Sequence, residues 1–183
     1  MKLLLGVSGG IAAYKACEIC SLARKANHEV RVIMTEGALQ FVGAVTFEGL
    51  VGHPVMRGVF DHAMDHIDWA KWADVALVAP ATANVLGKIA QGMADDALTT
   101  TLLAMGPDKP VVLGPAMNTE MWRHPAVVRN LELLAKLGPY TIVDPIEKRL
   151  ACGDYGPGAL AEPAELLEAA VAAAEARHSG SRS

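Results

Sequence analysis

Five short, nearly unbroken apolar runs punctuate the chain, and each closes on residues such as Gly, Pro, Thr or Asn. They span Lys2–Val7, His28–Thr35, Ala73–Thr82, Lys109–Asn118 and Pro139–Pro145. A strand apolar on both sides needs cover on both faces, and a parallel sheet between helical layers provides it. The intervening sequence reads as helix from about Ile11 to Ala26, briefly after Thr35, and again over NVLGKIAQG from Asn84. A terminal amphipathic helix is expected over Glu162–Ala176, with a proline near its start. Residues 1–177 are thus expected to form one domain, followed by a disordered tail over 178–183. In open sheets of this kind, ligands bind beyond the carboxyl ends of the strands. Ser8-Gly9-Gly10, Thr35, Pro80–Asn84, Pro115–Asn118 and the loop around Cys152 all follow strand ends, so all five should meet on one rim.

The chain has 183 residues, 52% of them hydrophobic and only 5% aromatic, so small aliphatic side chains must build the core. A net charge of −4 without a basic stripe argues against nucleic acid. The run Leu3–Val7 is too short to span a bilayer and ends in Gly-Gly where a signal peptide would need a small-residue cleavage site. No membrane partner and a cytoplasmic location are therefore expected.

Three cysteines cannot make a disulfide framework. Cys17 and Cys20 form C-x-x-C inside a helical period with no second pair downstream, which reads as helix packing. Cys152 lies among Gly153, Gly156, Pro157 and Gly158. Its thiol is compatible with a disulfide, a metal site, a nucleophile, a proton donor or no role at all.

Several motifs support two readings. GVSGGIAAYK is a glycine-rich turn into a helix, either a tight connection or an anion cradle formed by Ser8, Gly9, Gly10 and Ile11. It matches neither the dinucleotide fingerprint nor the P-loop. In APATAN, Thr82 and Asn84 either cap a helix or bind phosphate oxygens beside Pro80 and Ala83. Two helix starts on one rim suit a mononucleotide such as FMN better than NAD. His66 is either a surface histidine or a base with a tunable proton. Asp61, His62, Asp65, His66 and Asp68 lack an evident helix and an obvious third ligand, so no metal is expected. Asn118 either caps a helix or offers an uncharged donor to a carboxylate that must later depart. Met117 and Met121 have core spacing.

GVSGGIAAYK, HIDWAKWAD, PAMNTEMW and ACGDYGPGALAE, in this order, resemble the homo-oligomeric flavin-containing cysteine decarboxylases over roughly Lys2–Ala176. The likeness is strongest to the branch acting on 4′-phospho-N-pantothenoylcysteine in coenzyme A biosynthesis. Flavin prenyltransferases share the first loop but are not expected to carry the P-x-M-N-x-x-M-W or A-C-G motifs. The resemblance implies a flavodoxin-like, Rossmann-type α/β/α fold that binds FMN through Ser8–Ile11, Thr35 and Pro80–Asn84. It implies trimers, or dodecamers of four trimers, with sites between subunits. His66 becomes the catalytic histidine and Asn118 the substrate-carboxylate ligand, with Met121 beside it. Cys152 becomes the proton donor on a lid whose Ala151 and Gly153 flank the substrate. The implied chemistry oxidises the substrate C–S carbon to a thioaldehyde, releases CO2 and re-reduces the ene-thiol.

Two residues depart from the expected pattern. Ala159 stands where an arginine is expected in G-x-G-R, and Trp69 where a leucine is expected. Bacterial members are often fused to a phosphopantothenoylcysteine synthetase, which makes such a domain or protein a candidate partner. Two other readings within the family are a peptidyl-cysteine decarboxylase, disfavoured by the A-C-G lid, and a flavin-binding phosphatase inhibitor, disfavoured by the lack of long acidic extensions.

Overall fold

The computed structural model describes residues 1–60, 64–151 and 153–180. Strands β1 (Lys2–Val7), β2 (Glu29–Met34), β3 (Val75–Ala81), β4 (Val111–Pro115) and β5 (Tyr140–Ile142) form a five-stranded sheet in the order β2-β1-β3-β4-β5. Every pairing in it is parallel. All five sequence-predicted strands are present, each trimmed at its polar or proline-bearing ends except β1, which matches its run. The strand order reverses between β1 and β3, and that switch point is where such sheets open a crevice.

Alternate strand residues face opposite layers, as the two-residue side-chain period demands. Leu3, Leu5 and Val7 join one core cluster with Ala16, Ile19 and Cys20 of α1 (Lys15–Lys25), Phe47 of α3 (Ala44–Val51) and Leu166 of α9 (Pro163–Gly180). Leu4, Ile33 and Val78 join a second cluster. Its helical members include Ala70 of α4 (Asp65–Trp72), Leu86 of α5 (Ala83–Ala90), Leu98 of α6 (Ala97–Ala104) and Leu134 of α8 (Pro125–Lys136). Two short helices complete the set, α2 (Glu36–Leu39) and α7 (Thr119–Arg123). The sheet therefore carries an apolar layer on each face, and truncating a buried leucine of either cluster should cost about 2–5 kcal/mol. Among the described residues, no helix is long and apolar enough to cross a membrane.

The sequence reading and the structure differ in three places. The helix expected from Ile11 starts as a 3₁₀ turn (Ile11–Tyr14) before α1. The terminal helix reaches Gly180 instead of stopping near Ala176, because an alanine-rich run propagates at little cost once it is nucleated. The glycine-rich stretch after β5 is not a simple loop. Strands β6 (Ile146–Arg149) and β7 (Tyr155–Ala159) pair there as an antiparallel hairpin.

Candidate functional site

At the switch point the ends of β1 and β3 are tied together. The Ser8 hydroxyl, 1% exposed, donates to the Pro80 carbonyl at 2.7 Å and accepts the Thr82 N–H at 3.1 Å. Gly9 then passes so close to the start of α2 that a Cβ there would lie 2.6 Å from the Gly37 carbonyl carbon. Thr35 caps α2 by accepting Ala38 N–H (3.2 Å), and Thr82 caps α5 by accepting Val85 N–H (3.4 Å). Capping uses each hydroxyl oxygen as an acceptor and leaves its hydrogen able to donate, so the cap and ligand readings are compatible. A cavity of about 510 Å³ opens over these turns, lined by Gly9, Thr35, Gly37, Thr82, Ala83 and Asn84 among others. First-turn N–H groups and helix dipoles make this an anion cradle.

A second cavity of about 390 Å³ shares Gly9, Thr82, Ala83 and Met121 with the first. Its wall includes Gly10, Ile11 and Pro80 on one side and Met117 and Asn118 on another. The hairpin supplies Lys148, Arg149, Leu150, Ala151, Gly158 and Ala159. Two bonds seat β7 here: Met117 N–H donates to the Gly158 carbonyl and the Thr119 hydroxyl to the Pro157 carbonyl, both at 2.9 Å. Gly158 has φ +139°, and a Cβ would collide with the Met117 carbonyl oxygen.

Asn118 caps α7. Its Oδ1 accepts Glu120 N–H at 2.8 Å and Met121 N–H at 3.4 Å. The cap is also the orienting device: with the oxygen fixed as acceptor, the amide presents its N–H donors on the other side. Met121 is 47% exposed and lines both cavities, whereas Met117 lines one of them and also packs against the second core cluster, so only Met117 keeps the core role its spacing suggested.

The structure therefore brings Ser8, Gly9, Gly10, Ile11, Thr35, Pro80, Thr82, Ala83, Asn84, Asn118, Met121 and Ala151 around two joined cavities. Gly153 lies in the hairpin turn with φ +96° and lines neither cavity; Cys152 falls outside the described residues. His66 also lines neither cavity. It sits in the first turn of α4, and its buried Nδ1 has no hydrogen-bond partner among the described residues. Asp61 and His62 lie outside the described residues, and no cluster of metal-ligating side chains occurs among the others.

Cys17 and Cys20 carry free thiols on α1. Burial raises both pKa values, that of Cys20 to about 12 with the Cys17 charge adding to it, so neither is a ready thiolate. The sequence reading missed Tyr14, Lys15, Lys148 and Arg149 on the cavity wall, and Lys88 with Asp95 and Asp96 at the floor. The only available signal was the alternating IEKR run before the glycine-rich turn.

Comparison with known proteins agrees with this geometry. The chain is 50% identical over 173 residues to the coenzyme A biosynthesis bifunctional protein CoaBC of Bacillus subtilis (strain 168), covering 92% of this chain and 42% of that protein. It thus spans about two fifths of the relative's length. The structure of a PPC decarboxylase cysteine-to-serine mutant complexed with pantothenoylaminoethenethiol superposes with TM-score 0.81 at 38% identity, covering 92% of this chain and 94% of that one. The FMN-dependent cysteine decarboxylase SpaF superposes with TM-score 0.82 at 35% identity, covering 96% and 97%. The fold shared with these structures is flavodoxin-like. With residues 1–175 matching the family profile, the chain belongs to the Flavoprotein family.

Proposed function

We propose that the chain is a cytoplasmic FMN-dependent decarboxylase that converts 4′-phospho-N-pantothenoylcysteine to 4′-phosphopantetheine and CO2 in coenzyme A biosynthesis. The observation that carries this reading is the meeting of an anion cradle, an oriented uncharged amide and a glycine-hinged hairpin around joined cavities. The cradle fits FMN. Gly9 has no room for a side chain, and the α2 and α5 starts aim N–H donors where a phosphate would sit. FMN held by these turns would supply a two-electron acceptor beside the cysteinyl C–S carbon, so that the substrate could reach the thioaldehyde level that favours CO2 loss and be reduced again afterwards.

The chain's own residues do the rest. Asn118 holds the substrate carboxylate through neutral N–H donors. A lysine or arginine there would stabilise the charged ground state and oppose CO2 departure. The hairpin covers the cavity and keeps water from the carbanionic carbon. Cys152, between Ala151 and Gly153 in the sequence, gives its thiol proton to the ene-thiolate carbon and regains one from solvent. His66 deprotonates or orients the substrate thiol from a neighbouring subunit, a role supported by its unsatisfied buried Nδ1 and its place outside both cavities of its own chain. A trimer, or four trimers, would bring it into place. A phosphopantothenoylcysteine synthetase domain or protein is the natural partner, since CoaBC relatives are bifunctional.

The FMN-loaded protein should release CO2 from 4′-phospho-N-pantothenoylcysteine and scatter light as a multiple of three chains. Release only from a peptide ending in cysteine would reassign the substrate, and release from neither would overturn the reading. Cys152→Ser should still release CO2 but accumulate the ene-thiol; normal thiol formation would remove Cys152 from the mechanism.

A further inference from the structure

His66 has little of its own to hold it in place. Its Nδ1 is buried without a hydrogen-bond partner among the described residues, so no polar contact at that atom fixes the ring. The helix start beside it is also unsupported by a cap: Met64 at the N-cap has φ +74° and makes no side-chain cap bond. The orientation of His66 is therefore inherited from α4 as a body, and the cationic contacts on α4 lie in its second half.

Two cations act there. Lys109, just before β4, donates through Nζ to the Ala70, Lys71 and Ala73 carbonyls at 2.7, 2.6 and 2.7 Å. These are the orphan carbonyls of a helix C-terminus, where a positive charge also meets the negative end of the dipole. Arg31 of β2 is the second cation. Val30, Val32 and Met34 join the first core cluster, so Arg31 leaves the opposite face of the strand, with Ile33 and toward α4. Its Cζ lies 4.4 Å from the Trp72 ring centre and 5.2 Å from that of Trp69, within cation–π range of both. Among the described residues no carboxylate pairs with it. Trp69, which departs from the expected pattern, thus offers a π face that a leucine there would lack. His66 lies one turn before Trp69 and Ala70, on the same side of the helix.

We propose that Arg31 and Lys109 are positioning residues for His66. Together they fix α4 against the sheet, and the fixed helix sets the angle at which the imidazole meets the substrate thiol. Neither residue lines a cavity, so both act through α4. This deepens the decarboxylase reading and rests on it for the role of His66.

The test separates orientation from folding. R31Q removes the cation and R31K keeps it. In FMN-loaded protein, R31Q should lower kcat for CO2 release by about tenfold, with KM and flavin retention within about twofold of wild type, and R31K should recover most of that loss. K109M should lower kcat in the same sense. A second readout needs no turnover. Exchange of the His66 ring C2 hydrogen with solvent deuterium, followed by mass spectrometry, should be about threefold or more faster in R31Q than in wild type. Unchanged His66 exchange in R31Q, or an R31K variant as slow as R31Q, overturns the inference. So does a joint loss of kcat, KM and flavin retention, which would make Arg31 a general support of the fold. The role of His66 in the reaction fails separately, if His66→Asn turns over normally, and the exchange comparison decides the positioning even then.

Discussion

The floor of the site and its hairpin roof use glycine for different ends. At the floor, Gly9 lets two backbones touch beside a buried hydroxyl that both donates and accepts, within a sheet covered on both faces. In the roof, β7 is docked through Gly158 and the Pro157 carbonyl, whereas β6 is an exposed edge bearing Glu147, Lys148 and Arg149. A two-stranded ribbon is marginal alone, so the roof owes its place to β7. The floor is therefore preorganised by burial, and the roof is a two-stranded ribbon held through β7, with β6 exposed. Damage to the floor should appear in global stability and flavin retention. Damage to the roof should appear in substrate handling and local protection.

The largest effect expected is at the floor. Gly9→Ala puts a methyl group against the Gly37 backbone, which no side-chain rotation can relieve. It should cost about 2–3 kcal/mol, lower Tm by roughly 5–10 °C and abolish flavin retention on gel filtration. A yellow, fully stable variant would remove the distinction between floor and roof.

Next comes Asn118, where the two regions meet. Asp is as good an N-cap as Asn, so Asn118→Asp should keep α7 and leave Tm nearly unchanged. It replaces the N–H donors with a second negative charge facing the substrate carboxylate. CO2 release should fall in kcat/KM by roughly 10–100-fold. A matching loss of stability would show that Asn118 acts only as a cap.

Gly158→Ala should be milder. Its Cβ meets the Met117 carbonyl at a positive φ, so β7 must lift. The expected cost is about 1–2 kcal/mol, read as faster proteolysis around residues 150–154 and a raised KM, with flavin retained. Loss of flavin in this variant would couple the roof to the floor.

The contrast also explains what the sequence disclosed. Strands such as LLLGV and VALVA were legible because burial on two faces leaves an unbroken apolar run. Thr35, Thr82 and Asn118 were legible because strand ends and helix caps converge by topology. The hairpin was not, because YGPGA has poor strand propensity and pairs only because β7 docks on Met117 and Thr119. Lys148 and Arg149 went unnoticed in the sequence, because only the β6–β7 pairing places that strand at a cavity wall. The sequence ties His66 to the site only through family resemblance, and nothing local places it near Asn118.

The smallest effect tests whether the floor is also clamped by charge. Lys88 of α5 lies 2.7 Å from Asp95 and 2.9 Å from Asp96, and Asp96 caps α6 by accepting Thr99 N–H at 2.9 Å. Burial pushes the Asp96 carboxyl pKa up, but the Thr99 N–H, the Lys88 ammonium and the Thr99 hydroxyl outweigh it and hold the pKa below its usual value. With its folded pKa depressed, Asp96 stabilises fully above the unfolded value of about 3.9, and that contribution is lost as pH falls through the folded value. Lys88 has the opposite sign. Its hydrogen bonds to Asp95 and Asp96 raise its pKa, so its share persists through neutral pH and disappears only above about 10.4. Asp96→Asn keeps the cap and removes the charge, so urea unfolding at pH 7 should show a loss of about 1 kcal/mol or less. The gap between variant and wild type should hold above the unfolded value of about 3.9 and narrow as pH falls below it through the folded pKa. A gap constant across that range would mean that Asp96 supports the floor through its cap alone, with no contribution from its charge.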